Sequence, residues 1–375
     1  MQYKLSRREL LKASLGITAT AFAGDLLHGA VAEEEAPGLH EASFYEKLES
    51  NTVRCSLCPW RCVVPPGGRG KCRVRENRNG TYYTLVYGYP CAIHNDPIEK
   101  KPFAHVYPGS MTFSLATVGC NFVCKFCQNW EISQKRPEEI NVPYIKPADI
   151  IKMAKEAQPK PRTVAFTYSE PTIFYEYMAD CARAAKDAGL GALMISNGFI
   201  AEKPLKELCK VMTAIKVDLK AFTKKFYEEI CEGQLEPVLN TLKCLKDSGV
   251  WFEIVVLIIP TLNDGADEIK RMTEWIVKEL GPDVPVHFSR YHPAYKIQNI
   301  PPTPPATLHR AWKIAKEQGC NFAYTGNMPG VDSSNTYCPG CGNLLLKRYA
   351  FSVEVNNISD GKCSKCRRVI PGVWN

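Results

Sequence analysis

The chain has 375 residues, 45% of them hydrophobic and 23% charged, with 17 cysteines and a formal net charge of +8. So much apolar material without a biased repeat excludes disorder, collagen and coiled coil, and no apolar run of about 18 residues follows the N-terminus, which excludes a multi-span membrane protein. The excess of 47 Lys and Arg over 39 Asp and Glu is scattered, and no stripe of basic and aromatic residues argues for nucleic acid.

At the N-terminus, Ser6-Arg7-Arg8-Glu9-Leu10-Leu11-Lys12 leads into the mildly apolar stretch Ala13 to Ala23. A small-residue site, Ala30-Val31-Ala32, follows, and then the acidic run Glu33 to Glu35. The order resembles a twin-arginine export signal, which carries prefolded and often metal-loaded cargo. The expectation is a signal over residues 1–32 and an exported, periplasmic or extracytoplasmic protein with no membrane span after signal removal. The competing readings are an amphipathic first helix with a coincidental arginine pair, and a vestigial signal on a cytoplasmic protein.

Residues 33–110 are rich in Pro, Gly and Arg and hold Cys55, Cys58, Cys62 and Cys72. Such a stretch reads as an irregular module held by metal rather than by a core. A disulfide framework is the rival, but disulfide scaffolds are short and loop-rich, whereas this chain continues into long periodic segments.

Over residues 111–330 strand-like runs alternate with amphipathic segments of helical length. The strands read are Thr112 to Val118, Thr163 to Tyr168, Ala192 to Ser196, Ile215 to Leu219, Phe252 to Ile259, Val286 to Tyr291 and Phe322 to Tyr324. The helices read are Pro147 to Ala157, Thr172 to Ala188, Lys203 to Met212, Pro237 to Asp247, Asp267 to Leu280 and Pro305 to Gln318. The alternation predicts an α/β fold with a parallel sheet and right-handed crossovers, and periodicity leaves a doubly wound sheet and a barrel equally open.

Directly after the first of these strands comes Cys120-Asn121-Phe122-Val123-Cys124-Lys125-Phe126-Cys127. Four cysteines saturate a [4Fe–4S] cluster; three leave one iron free for an external ligand, which is a catalytic arrangement. A loop at the C-terminal end of a strand is also where α/β folds place their chemistry.

The C-x3-C-x-aromatic-C pattern, with Phe126 as the aromatic, resembles the radical S-adenosylmethionine (SAM) superfamily. The resemblance implies a partial (βα)6 TIM-like barrel, open on one side. It further implies a [4Fe–4S] cluster on the catalytic trio Cys120, Cys124 and Cys127, whose open iron chelates SAM. One-electron reduction of SAM then yields methionine and a 5′-deoxyadenosyl radical that abstracts a substrate hydrogen.

Further segments resemble glycyl-radical-enzyme activases, of which pyruvate formate-lyase activating enzyme is the type. Tyr168-Ser169-Glu170-Pro171 stands where that family has GGEP, with Glu170 and Ser169 implied at the SAM amino group, although both glycines are replaced. Ser196-Asn197-Gly198 stands near the ribose. In Val217-Asp218-Leu219-Lys220, Lys220 is implied at the SAM carboxylate and Asp218 beside a monovalent cation. Ile259-Pro260 and Asn263-Asp264 match an I-P-G-x-N-D turn with Thr261 in place of Gly, and Tyr291-His292 puts His292 at the methionine moiety. Each has a plainer alternative: a Glu-Pro helix start, an Asn-Gly turn, a structural Asp–Lys ion pair. His94, His105 and His287 read as satisfied core or loop residues.

A resemblance over almost the whole mature chain is to the AmmeMemoRadiSam-system radical SAM proteins. Asp96-Pro97-Ile98-Glu99-Lys100-Lys101-Pro102, Tyr107-Pro108-Gly109-Ser110, Gly119-Cys120-Asn121, Cys127-Gln128-Asn129-Trp130 and Gly372-Val373-Trp374 carry it. It implies the two other proteins of that system as partners and leaves the substrate open, protein or small molecule. Radical SAM chemistry also implies an electron donor of flavodoxin or ferredoxin type.

Residues 331–375 hold two knuckles, Cys338-Pro339-Gly340-Cys341 and Cys363-Ser364-Lys365-Cys366. They predict a zinc-ribbon-like module with a structural four-thiolate site, zinc by default and rubredoxin-like iron as the alternative. For Cys55, Cys58, Cys62 and Cys72 zinc and an auxiliary iron–sulfur cluster stand level. Cys91, Cys181, Cys209, Cys231, Cys244 and Cys320 read as small buried hydrophobes. Against the enzyme stand two other readings: a non-catalytic or redox-sensing metal scaffold, which would lack the SAM motifs, and a zinc-ribbon nucleic-acid binder.

Overall fold

The computed structural model describes residues 39–374, so the export-type segment lies outside the described residues. Eight strands form the central sheet: β1 (Ala92–Pro97), β2 (Met111–Ala116), β3 (Pro161–Phe166), β4 (Gly191–Ser196), β5 (Ala214–Asp218), β6 (Trp251–Ile258), β7 (Val286–Arg290) and β8 (Ala323–Gly326). They lie in strict sequence order from one edge to the other. β2 to β8 run parallel, and β1 pairs antiparallel with β2.

Sequential order resolves the architecture left open by periodicity. A doubly wound sheet reverses its strand order at a switch point, whereas right-handed crossovers between successive neighbours put every helix on one face, as in a barrel. β1 and β8 are the two edges and do not pair, so the barrel is open between them. Strands such as Ala192 to Ser196 are apolar and buried throughout because side chains fill the interior on one face and helices cover the other.

The covering helices are α1 (Pro147–Glu156), α2 (Tyr175–Asp187), α3 (Glu202–Cys209), α4 (Leu235–Ser248), α5 (Ala266–Trp275) and α6 (Pro305–Glu317). Each offers an apolar stripe at helical spacing; on α2 Met178, Ala182 and Ala185 face the sheet, fully buried.

Ahead of the barrel, two three-stranded sheets form the cysteine-bearing module. It is fastened to the barrel by Trp60, whose Nε1 donates to the Asn121 carbonyl at 2.8 Å, and by the buried Arg75–Glu176 ion pair at 2.5 Å. β1 belongs to the central sheet although its residues fall within the stretch read as part of that module. After the barrel, Leu344–Tyr349 and Ser352–Asn356 form a hairpin beside the four C-terminal cysteines. The Arg348 guanidinium of that hairpin donates to the Ala104 carbonyl at 2.7 Å, and the Tyr107 amide donates to the Val373 carbonyl. Ala104 and Tyr107 lie on the connection from β1 to β2, so the C-terminal module covers the open side next to β1.

Candidate active site at the barrel top

The strand ends converge on one cleft of about 530 Å³. Cys120, Cys124, Cys127 and Phe126 reach it from the loop after β2, Ser169 and Glu170 from the end of β3, Ser196 and Asn197 from β4, and Asp218 and Lys220 from β5. These side chains come from segments up to about a hundred residues apart, and the barrel gathers them because every parallel strand ends on the same rim.

Glu170 is the polar centre of the cleft's inner wall. Its carboxylate, 1% exposed, accepts from the Thr172 amide at 2.9 Å, the Ser196 hydroxyl at 2.7 Å and the Asn197 amide at 2.8 Å. Burial pushes its pKa up, and the three donors counter that by favouring the charged form. Asn197 passes the network on to the cysteine loop, donating to Asn121 Oδ1 at 2.8 Å. Gly198 completes the turn at a φ of +73°, where a Cβ would sit 2.7 Å from Val217 Cγ1.

Across the cleft Asp218 lies between two lysines, Lys216 Nζ and Lys220 Nζ, each at 2.7 Å. Burial alone would raise the Asp218 pKa, but the two ammonium groups outweigh it and hold the carboxyl below the usual range. Asn263 fixes the backbone here: it accepts from the Ile259 amide and donates to the carbonyls of Lys220 and Leu257.

Two of the three positions where the resemblance sets glycine, 168 and 261 but not 169, have a left-handed backbone. Tyr168 has a φ of +65° and Thr261 a φ of +67°. Left-handed backbone is disfavoured for a tyrosine and more so for a β-branched threonine, so contacts must hold it. Thr261 is held by its amide donating to Asp264 Oδ1 at 2.8 Å. Tyr168 is held by its hydroxyl, which donates to Asp96, and by its carbonyl, which accepts from Asn129 Nδ2 at 2.8 Å.

That contact exposes a group the sequence reading did not assign to the site. Asp96 also bonds Lys100 Nζ at 2.8 Å and Lys101 Nζ at 2.5 Å, and both lysines line the cleft. Burial would raise the Asp96 pKa, yet Lys100, Lys101 and Tyr168 hold it well below the carboxylate range; burial brings Lys101 down to about 8. The signal was the Asp96 to Pro102 segment itself, conspicuous in sequence but silent about where it folds. Lys216 was missed because it sits mid-strand. Cys231, read as a small buried hydrophobe, is fully buried and places its thiol against Cys124.

His292 follows the end of β7. It is exposed and lines an adjoining cavity of about 480 Å³ rather than the cysteine cleft. That cavity shares Lys100, Gln128, Ser289, Asn327 and Phe351 with the cleft. His287 and His105 are satisfied core residues: His287 Nε2 meets Glu253 at 2.7 Å, and His105 bridges the Pro371 carbonyl and the Tyr324 hydroxyl.

The C-terminal cysteines form a compact set. The sulfurs of Cys338, Cys341, Cys363 and Cys366 all lie within 4.8 Å of one another, and Gly342 turns the knuckle at a φ of +69°.

Residues 114–276 match the profile of the radical SAM superfamily. An uncharacterised protein of Methanocaldococcus jannaschii is 44% identical over 88% of this chain and 97% of its own. The chain belongs to the radical SAM superfamily. A second protein of that organism, provisionally named a glycyl-radical enzyme activating enzyme, is 25% identical over 44% of this chain and 62% of its own. A crystallised domain of pyruvate-formate lyase-activating enzyme from Bacteroides vulgatus aligns at 16% identity and a TM-score of 0.40, covering 44% of this chain and 99% of that domain.

Membership implies a [4Fe–4S] cluster and SAM, and the residues present fit both. The three thiols open onto one cleft, and two of them have polar groups aimed at the sulfur: the Phe122 amide lies 3.3 Å from Cys120 Sγ, and Ser133 Oγ lies 3.3 Å from Cys127 Sγ. Burial pushes the Cys120 thiol pKa up, so ligation by a cationic cluster is what makes the thiolate favourable there. For SAM, the cleft offers the Glu170 carboxylate to an ammonium and the Lys220 ammonium to a carboxylate.

Proposed function

We propose that this chain reductively cleaves SAM and directs the resulting 5′-deoxyadenosyl radical at a substrate hydrogen. The observation that carries the reading is the convergence of Cys120, Cys124 and Cys127 with Glu170, Asn197, Asp218 and Lys220 on one cleft. The cluster, when bound to the three thiolates, supplies the electron that breaks the C5′–S bond of SAM, leaving methionine. The chain's own residues orient and shield. Glu170 holds the SAM amino group through a carboxylate already fixed by three donors. Lys220 holds the SAM carboxylate, its own charge maintained by Asp218, and Asn197 and Ser196 border the ribose. Phe126 and Phe122 line the cleft and exclude water from the radical. An electron donor of flavodoxin or ferredoxin type completes the half-reaction.

The substrate is proposed to be a small molecule rather than a glycyl loop of a partner protein. The adjoining cavity supports this, because Arg348, Ala350 and Phe351 of the C-terminal hairpin wall the side on which a long loop would enter. The compact C-terminal thiols support a structural zinc ion that holds this hairpin in place. The reading is tested by anaerobic incubation of reconstituted protein with dithionite and SAM, followed by chromatography. Equal amounts of methionine and 5′-deoxyadenosine are expected, both lost in Cys124→Ala; their absence in the presence of an intact, reducible cluster and of every small-molecule fraction of the source cell would overturn it.

A further inference from the structure

We propose that the N-terminal module holds a second [4Fe–4S] cluster, on Cys55, Cys58, Cys62 and Cys72, set against the loop that carries the first. Four thiolates on an irregular backbone invite either one zinc ion or a cluster, and sulfur spacing separates the two. Zinc binds thiolates at about 2.3 Å in a tetrahedron, so its sulfurs lie about 3.8 Å apart. The C-terminal thiols obey that spacing: Cys338 and Cys366 are 3.5 Å apart, Cys341 and Cys363 3.8 Å. Neither the N-terminal four nor Cys120, Cys124 and Cys127 contain three sulfurs within 4.8 Å of one another. The N-terminal set, like the trio that the superfamily motif commits to iron and sulfide, is therefore not drawn together at the spacing the C-terminal knuckles show.

The space among these thiols points the same way. The Tyr82 hydroxyl is fully buried beside Cys55, Cys62 and Cys72 and has no hydrogen-bond partner. A hydroxyl so placed requires an acceptor; coordinated thiolates supply one in either kind of site, and a cluster adds inorganic sulfides that also fill the space in front of it. Gly70 keeps the site open, since a Cβ there would fall 2.8 Å from the Tyr82 hydroxyl oxygen and 3.7 Å from Cys62 Sγ. The Lys71 amide is aimed at Cys62 Sγ at 3.4 Å. The buried Arg75 guanidinium lies close to Cys55 and Cys72 with Glu176 as its ion-pair partner, so the pair brings a fixed dipole rather than a net positive charge to the site.

The two thiolate loops touch. Gly119, which precedes Cys120, has room only for a hydrogen: a Cβ on it would lie 2.6 Å from Val74 Cγ1 and 3.2 Å from the Cys72 carbonyl oxygen.

The test is a metal count on the anaerobically reconstituted full chain, which is independent of SAM cleavage and of any substrate. Two clusters and one C-terminal zinc correspond to about eight iron, eight sulfide and one zinc per chain. Replacing Cys120, Cys124 and Cys127 by Ala is expected to leave about four irons with the Mössbauer signature of a [4Fe–4S] cluster. Cys58→Ala with Cys62→Ala is expected to remove the other four and to spare the SAM-dependent change of the first cluster's electron paramagnetic resonance. About four irons and two zinc ions in the wild-type chain, or an iron-free Cys120/Cys124/Cys127 variant, overturns the proposal. If the variants fail to fold, the wild-type iron count decides.

Discussion

Tyr168 occupies a backbone conformation that suits glycine, and replacing it tests whether its side chain or its backbone matters more. In Tyr168→Gly, relief of the φ +65° strain is worth about 1–2 kcal/mol, but the freer unfolded chain takes back about 0.4–1 kcal/mol. The hydroxyl bond to the ionised Asp96 is worth about 1.5–3 kcal/mol. The Lys101 ammonium lies 4.4 Å from the ring centroid, worth about 1 kcal/mol more. The losses win, so Tyr168→Gly is expected to be less stable than wild type by about 1–4 kcal/mol. Tyr168→Phe keeps the ring over Lys101 and is expected to lose about 1.5–3 kcal/mol. The assay is urea unfolding of the reconstituted protein under argon, followed by far-ultraviolet circular dichroism. A Tyr168→Gly protein as stable as wild type would refute the reasoning, because Asp96 would then hold the two lysines without help.

Glu170→Gln turns one acceptor oxygen into a donor facing a backbone amide or the Ser196 hydroxyl. We expect a stability loss of about 1–3 kcal/mol and at least a tenfold weakening of SAM affinity, about 1.4 kcal/mol, measured by equilibrium dialysis. Burial holds His105 neutral, with its pKa lowered to about 4. The unfolded chain takes up this proton first as pH falls through about 6.5, so the His105 contribution is fully present above that value. It is lost between there and about 4, by up to roughly 3 kcal/mol. Urea midpoints at several pH values should fall less steeply for His105→Gln than for wild type across this window. Cys363→Ser is expected to loosen the C-terminal hairpin, seen as faster limited proteolysis within residues 338–374, while iron content stays unchanged.

Most barrel strands were legible because they are short, largely apolar and buried runs set between helix-length amphipathic stretches, as at Gly191–Ser196 and Trp251–Ile258. β1 was not, since Ala-Ile-His-Asn-Asp-Pro is polar and ends in proline, a composition tolerated only on an edge strand. The cluster loop and the residues Glu170, Asn197, Asp218 and Lys220 were readable as strand-end motifs. Asp96 was not readable as a partner of Tyr168 because 72 residues separate them and only the barrel brings them together. The missing glycines misled in a simple way: the residues at 168 and 261 are not glycine, yet the backbone there is left-handed, as glycine would allow. His292 falls outside the cleft although it follows β7 directly, and strand-end position alone does not decide which of two adjoining cavities a side chain lines.

The central claim is an open iron in a three-thiolate cluster that SAM ligates, and electron paramagnetic resonance tests it without needing the substrate. Protein reduced with dithionite is measured before and after addition of SAM. A reduced-cluster signal whose g values shift on SAM addition is expected, with the shift absent in Cys124→Ala; a reduced-cluster spectrum that SAM leaves unchanged would contradict ligation of the open iron by SAM.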